Sequence, residues 1–138
     1  MRRLFFDLET DGLDPDVIHC IAIGEVGHPV WSYGPDQIKE GLEMLCEADE
    51  LVAHNGLGYD FKVIKKLYPT WPFEGKRTDT LVLSRLIRAD LKNEDFEYNW
   101  ANSVMPKKMY GSHSLKAWGM RLHQKLGGDF LKGDYDGG

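Results

Sequence analysis

The chain has 138 residues, 42% of them hydrophobic and 28% charged, ordinary globular usage that excludes wholesale disorder and fibrous repeats. The net charge of −5 is unevenly spread: residues 1–60 hold 13 acids against 3 bases, a balance of −10, while residues 61–138 hold 14 bases against 9 acids, a balance of +5. No uncharged stretch approaches the roughly 18 apolar residues of a membrane span, and Arg2, Arg3 and Asp7 interrupt any secretory apolar core, so a soluble, intracellular protein that avoids membranes is expected.

In chain order, Leu4, Phe6 and Leu8 alternate with Phe5, Asp7 and Glu9, which predicts a strand ended by Asp11-Gly12. Residues 17–25 and 30–33 read as two further strands, and short turns favour an antiparallel trio. Pro35-Asp36 opens a helix carrying Ile38, Leu42 and Leu45 on one face. Residues 51–54 form a short strand halted by Asn55-Gly56, followed by a helix over 58–67 that Pro69 ends. After a loop over 69–75, Asp79 is placed to cap a helix over 80–88, whose crowded apolar residues predict burial on more than one side.

Residues 89–111 show no sustained period and read as an excursion. Ser112 is placed to cap a final helix with Leu115, Trp118 and Leu122 on its apolar stripe and Lys116 and Arg121 off it. The pattern is α/β with a mixed sheet. It predicts one domain over residues 1–126 and a flexible glycine-rich tail over 127–138. Cys20 and Cys46 lack any CxxC-like spacing and are expected as buried free thiols.

Asp7 and Glu9, two apart on a strand, leave the same face of the sheet. Two carboxylates held together repel unless a cation neutralises them, and all-oxygen ligation suits Mg²⁺ or Mn²⁺. Asp95-Phe96-Glu97 repeats the spacing in what reads as polar loop, so position at the end of an apolar strand is what distinguishes the first pair. Asp60, just past the strand at 51–54, joins them if the two strands are neighbours; otherwise it serves only the helix dipole. His54 and Asn55 are turn-formers or substrate contacts. Trp118 is core or a stacking platform. Lys107, Lys108 and Lys116 are solvated or phosphate-binding, and Tyr98, Trp100 and Tyr110 either stack on single-stranded bases or pin a loop.

Phe-Asp-Leu-Glu-Thr-Asp-Gly-Leu (residues 6–13) resembles the first motif of the DEDD (DnaQ-like) 3′–5′ exonucleases of the ribonuclease-H-like fold, and His54-Asn-Gly-Leu-Gly-Tyr-Asp60-Phe resembles their second. Residues 79–87 and 110–122 are similar to segments of the proofreading domain in family-A DNA polymerases of T-odd phages. The resemblance implies a two-metal phosphodiesterase acting on a single-stranded DNA 3′ end, with RNA an open alternative, in the cytoplasm of a phage-infected or bacterial cell. It implies that Asp7 bridges two Mg²⁺ or Mn²⁺ ions while Glu9 and Asp60 each bind one. Thr10 and Leu13 then meet the terminal nucleotide, with His54 and Asn55 close to substrate.

The family also uses a fourth acid, four residues after a Tyr or five after a His. Neither Tyr98, Tyr110, His113 nor His123 has an acid at that spacing, and Asp129, Asp134 and Asp136 fall in the tail. The expectation is therefore a ribonuclease-H-like fold missing its last helix, completed by a polymerase polypeptide or a downstream segment. The rival reading is a noncatalytic nucleic-acid-binding or polymerase-interaction module.

Overall fold

The computed structural model describes residues 1–98 and 105–126, with side chains as far as Leu122. Trp100 and the tail over 127–138 lie outside the described residues. The chain divides into two compact units, Met1–Thr80 and Leu81 onward.

The first unit is built on a five-stranded sheet in the order β3-β2-β1-β4-β5. Its strands are β1 (Arg3–Thr10), β2 (Ile18–Gly24), β3 (Trp31–Tyr33), β4 (Glu50–Ala53) and β5 (Lys76–Asp79). The first three form the expected antiparallel trio, with Phe6 opposite Ile23 and Ala22 opposite Ser32. β4 runs parallel to β1, and β5 parallel to β4, so the sheet is mixed.

Alternation along β1 buries Leu4, Phe6 and Leu8 and leaves Phe5, Asp7 and Glu9 on the other face. The buried set joins Ile21, Ile23, Leu51 and Ile64 in one core. Helix α1 (Ile38–Leu45) follows a single 3₁₀ turn at Pro35–Gln37, buries Ile38, Leu42 and Leu45, and packs on β2 and β3. Helix α2 (Asp60–Leu67) buries Phe61, Val63 and Ile64, with the Phe61 ring edge-on to Phe6 at 5.3 Å.

No strand is expected between the loop over 69–75 and the helix that starts at Thr80, yet β5 lies there. Lys-Arg-Thr-Asp has no apolar residue, because an edge strand needs only one protected side. What secures it is Glu50, a buried acid on β4 that accepts from Arg3 on β1 and from the Thr78 hydroxyl on β5, with Lys76 at 3.8 Å. The Thr78 and Arg3 hydrogen bonds hold the Glu50 carboxyl below its ordinary value.

In the second unit four expectations are corrected. Helix α3 (Thr80–Ile87) buries none of its residues, and Leu86 and Ile87 are 73% and 72% exposed. The excursion contains a helix, α4 (Leu91–Tyr98), so Asp95-Phe96-Glu97 is helical. Helix α5 (Leu115–Leu126) has the Ser114 hydroxyl, not that of Ser112, accepting the Ala117 N–H at 3.1 Å, as an N-cap does.

The buried stripe of α5 is Ala117, Met120 and Arg121, whereas Leu115 and Leu122 are both 54% exposed. Arg121 is buried because Asp95 is buried with it. Its Nε and Nη2 donate to the two Asp95 oxygens at 2.9 and 2.7 Å, and the Gly111 N–H donates to Asp95 Oδ2 at 2.8 Å. Trp118 is half-buried, its Nε1 donating to the Ser84 hydroxyl and its ring flanked by Arg88 and Arg121. Tyr110 packs edge-on against Phe96 at 4.9 Å. Cys20 and Cys46 are free and only half-buried, and burial raises the Cys46 thiol.

Candidate active site

β1 pairs with β4 only as far as Phe5 opposite Val52. Beyond that point the edge of β1 facing β4 needs other partners, since a buried backbone N–H left unpaired is costly. Asp60, at the first turn of α2 and 4% exposed, supplies one: its Oδ2 accepts the Leu8 N–H at 3.3 Å. The loop after β4 thus brings the Asp60 carboxylate to the strand segment that carries Asp7 and Glu9.

The three acids feel one another. Burial, followed by the charge and hydrogen bonding of Glu9, pushes the Asp7 carboxyl up to about 6. Burial, followed by the charge of Asp7, pushes Asp60 up to about 7 against the opposing hydrogen bond from Leu8, with Asp79 adding repulsion. Glu9 thus acts on Asp7, and Asp7 on Asp60. Among the described residues no group of three or more His, Cys, Asp or Glu side chains is placed to hold a metal ion. The donor chemistry nevertheless fits a hard divalent cation: the donors are oxygens, and their mutual repulsion is what such a charge relieves.

The loop over 54–59 is held from beneath by Asp79. The carboxylate of this residue accepts the N–H of Asn55 at 2.9 Å and of Leu57 at 3.1 Å, a role that reading it as a helix cap overlooked. Asn55 turns the chain with φ of 59°, a conformation asparagine tolerates. His54 Nδ1 meets the Thr80 hydroxyl at 2.9 Å. Gly56 is required by close approach, because a Cβ there would lie 2.7 Å from that of Ala53. Asp79→Ala is expected to cost about 1–3 kcal/mol, read as a lower melting temperature, because two loop amides lose their acceptor.

Tyr59, which the sequence analysis did not single out, donates to the Gly12 carbonyl at 2.6 Å and hydrogen-bonds the Thr10 hydroxyl. Its place immediately before Asp60 was the available signal. Beyond this tie the 11–17 loop is closed on itself, Asp11 accepting the N–H groups of Asp16 and Val17 and Lys66 bonding Asp14 and the Pro15 carbonyl. Leu13 is left 95% exposed on that braced loop. The structure thus brings Asp60 to the β1 segment that carries Asp7 and Glu9, and ties Thr10 to the Asp60 helix through Tyr59. Lys107, Lys108 and Lys116 belong to the second unit.

A mixed sheet whose central strand carries Asp7 and Glu9, with Asp60 brought to that strand by the β4–α2 unit, defines a class of α/β domain. A family model described as the RNase_H superfamily matches residues 4–118, and the chain belongs to that superfamily. It is 35% identical over 142 residues to the DNA-directed DNA polymerase of Escherichia phage T7, across 94% of this chain and 19% of that protein. To the DNA-directed DNA polymerase of Enterobacteria phage T3 it is 35% identical over 146 residues, across 96% of this chain and 20% of that protein. The chain spans about a fifth of the length of these relatives. Among the described residues no helix is long and apolar enough to cross a membrane.

Proposed function

We propose that the chain is a metal-dependent 3′–5′ exonuclease domain of the proofreading type, removing terminal nucleotides from single-stranded DNA. The observation that carries this reading is the Leu8 N–H to Asp60 hydrogen bond, which holds a third carboxylate at the strand segment between Asp7 and Glu9, in a chain of the RNase H superfamily similar to phage DNA polymerases. Asp7, Glu9 and Asp60 would hold Mg²⁺ or Mn²⁺. Such ions supply a nucleophilic water at neutral pH and stabilise charge on the leaving oxygen.

The chain's own residues have separable tasks. Asp7 and Glu9 present adjacent carboxylates on one sheet face, and the Leu8 N–H orients Asp60. The braced 11–17 loop presents Leu13 as an apolar contact for the terminal nucleotide, beside the Thr10 backbone. His54 and Asn55 stand at the start of the Asp79-held turn, where they can contact substrate. A fourth carboxylate, supplied by a polymerase segment or polypeptide, would complete the ligand set.

The rival reading is a noncatalytic nucleic-acid-binding or polymerase-interaction module. Incubation with 5′-labelled single-stranded DNA and Mn²⁺ separates the two. The expected result is a ladder shortened from the 3′ end that disappears with Asp7→Ala. Uncut DNA that is retarded on a gel only when metal is present would instead establish the binding module. A parallel RNA substrate tests the choice of nucleic acid.

A further inference from the structure

Between α2 and the edge strand β5 lies a cleft of about 370 Å³, within the size range of small-ligand sites. Three cations, Lys62, Lys65 and Arg77, and three aromatic residues, Phe61, Tyr68 and Trp71, line it. Such a mixture suits a polyanion that also carries flat rings. Among the described residues none of the three cations is in an ion pair, whereas neighbouring Lys66 and Lys76 are both engaged by acids.

The walls are fixed in advance. Arg77 donates through Nη2 to the Phe73 carbonyl at 3.0 Å and lies 5.2 Å over the Phe61 ring and 5.7 Å over Phe73. Trp71 stacks on Phe73 at 5.5 Å, and its Nε1 donates to the Leu42 carbonyl. Lys62 and Lys65, one helical turn apart on α2, are exposed and free to follow a phosphate backbone.

We propose that this cleft is a second nucleic-acid subsite, in which Lys62, Lys65 and Arg77 take backbone phosphate and the Tyr68 and Trp71 rings take a base of a single strand. The proposal rests on the nuclease reading for its choice of ligand. Its test is independent of cutting. None of the three acids Asp7, Glu9 and Asp60 lines the cleft, so the subsite is distinct from the candidate active site.

The experiment is fluorescence anisotropy of labelled oligothymidylate with the full chain in EDTA, repeated across salt concentrations. Each lost phosphate contact on a single strand should flatten the slope of log affinity against log salt by about 0.7. The Lys62→Gln/Lys65→Gln pair is therefore expected to flatten it by about 1.4 and weaken binding on the order of tenfold at 0.1 M salt. Tyr68→Leu is expected to weaken binding roughly fivefold or more with the slope unchanged, as loss of one stacked base would.

Lys39→Gln, which removes one charge from α1, is the control and should leave the slope as it was. An unaltered slope in the double variant, an equal flattening by Lys39→Gln, or no binding by the parent chain in EDTA overturns the proposal. Melting curves matching the parent's establish that the variants are folded. Failure of the Asp7-dependent ladder, by contrast, strikes the nuclease reading and leaves this slope measurement standing.

Discussion

Replacing Asp60 by asparagine is expected to abolish nuclease activity and, without metal, to make the protein more stable. The two effects share a cause. Asparagine keeps an oxygen for the Leu8 N–H but removes a buried negative charge that Asp7 and Asp79 repel. The Asp60 carboxyl lies near 7 in the folded protein and near 3.8 as an ordinary side chain, so the folded state retains a proton that the unfolded chain has released.

The sign follows from that difference. The group's favourable contribution is complete below its unfolded value and lost as pH rises through the folded one. At pH 8 the parent bears the whole cost, on the order of 2–4 kcal/mol for a shift of this size. Asp60→Asn should therefore melt higher than the parent at pH 8 in EDTA, and the gap should close towards pH 4. Mn²⁺ should narrow the gap by stabilising the parent alone. In the ladder assay the same variant should lose at least about 100-fold in rate, since even residues that merely support metal ligands cost 10–100-fold when removed. A variant that melts no higher than the parent at pH 8 would mean that Asp60 is not under the electrostatic load described.

The second large effect concerns the buried pair Asp95 and Arg121, 3% and 1% exposed. Arg121→Met should destabilise the second unit by about 3–5 kcal/mol, because Asp95 would remain buried with its charge unmatched. Arg121→Lys keeps the charge but loses the two-pronged geometry and should fall between parent and Arg121→Met. Converting both partners to apolar residues, Asp95→Leu with Arg121→Met, should recover much of the loss, since two desolvated charges leave together. Amide hydrogen exchange of Leu91–Tyr98 and of Leu115–Leu126 reads this locally, which matters in a chain of two compact units. Equal protection in parent and Arg121→Met would show that the pair does not hold these helices.

Where the structure departs from what the sequence predicts, the reasons are physical. β5 escaped because an edge strand secured by a buried glutamate on its neighbour needs no apolar residues. α4 escaped because its fold-specific contact is an aspartate whose partner lies 26 positions away. The face of α5 was misassigned for the same reason, since a periodicity argument places an arginine outside unless its distant counter-charge is known. α3 was expected inside from its apolar residues alone, yet hydrophobicity states what a side chain prefers and not whether another element covers it.

The strand alternation that puts Asp7 and Glu9 on one face, the helical spacing of α1 and α2 and the glycine and asparagine turns were determined by the sequence alone. Each follows from backbone geometry over a few neighbouring residues. Only the tertiary structure decided that Asp60 meets this pair, because that depends on β1 and β4 running side by side and parting after Phe5. The action of Asp7 on Asp60 likewise needed the fold: desolvation and charge repulsion act across space between groups more than fifty positions apart, and no local pattern records them.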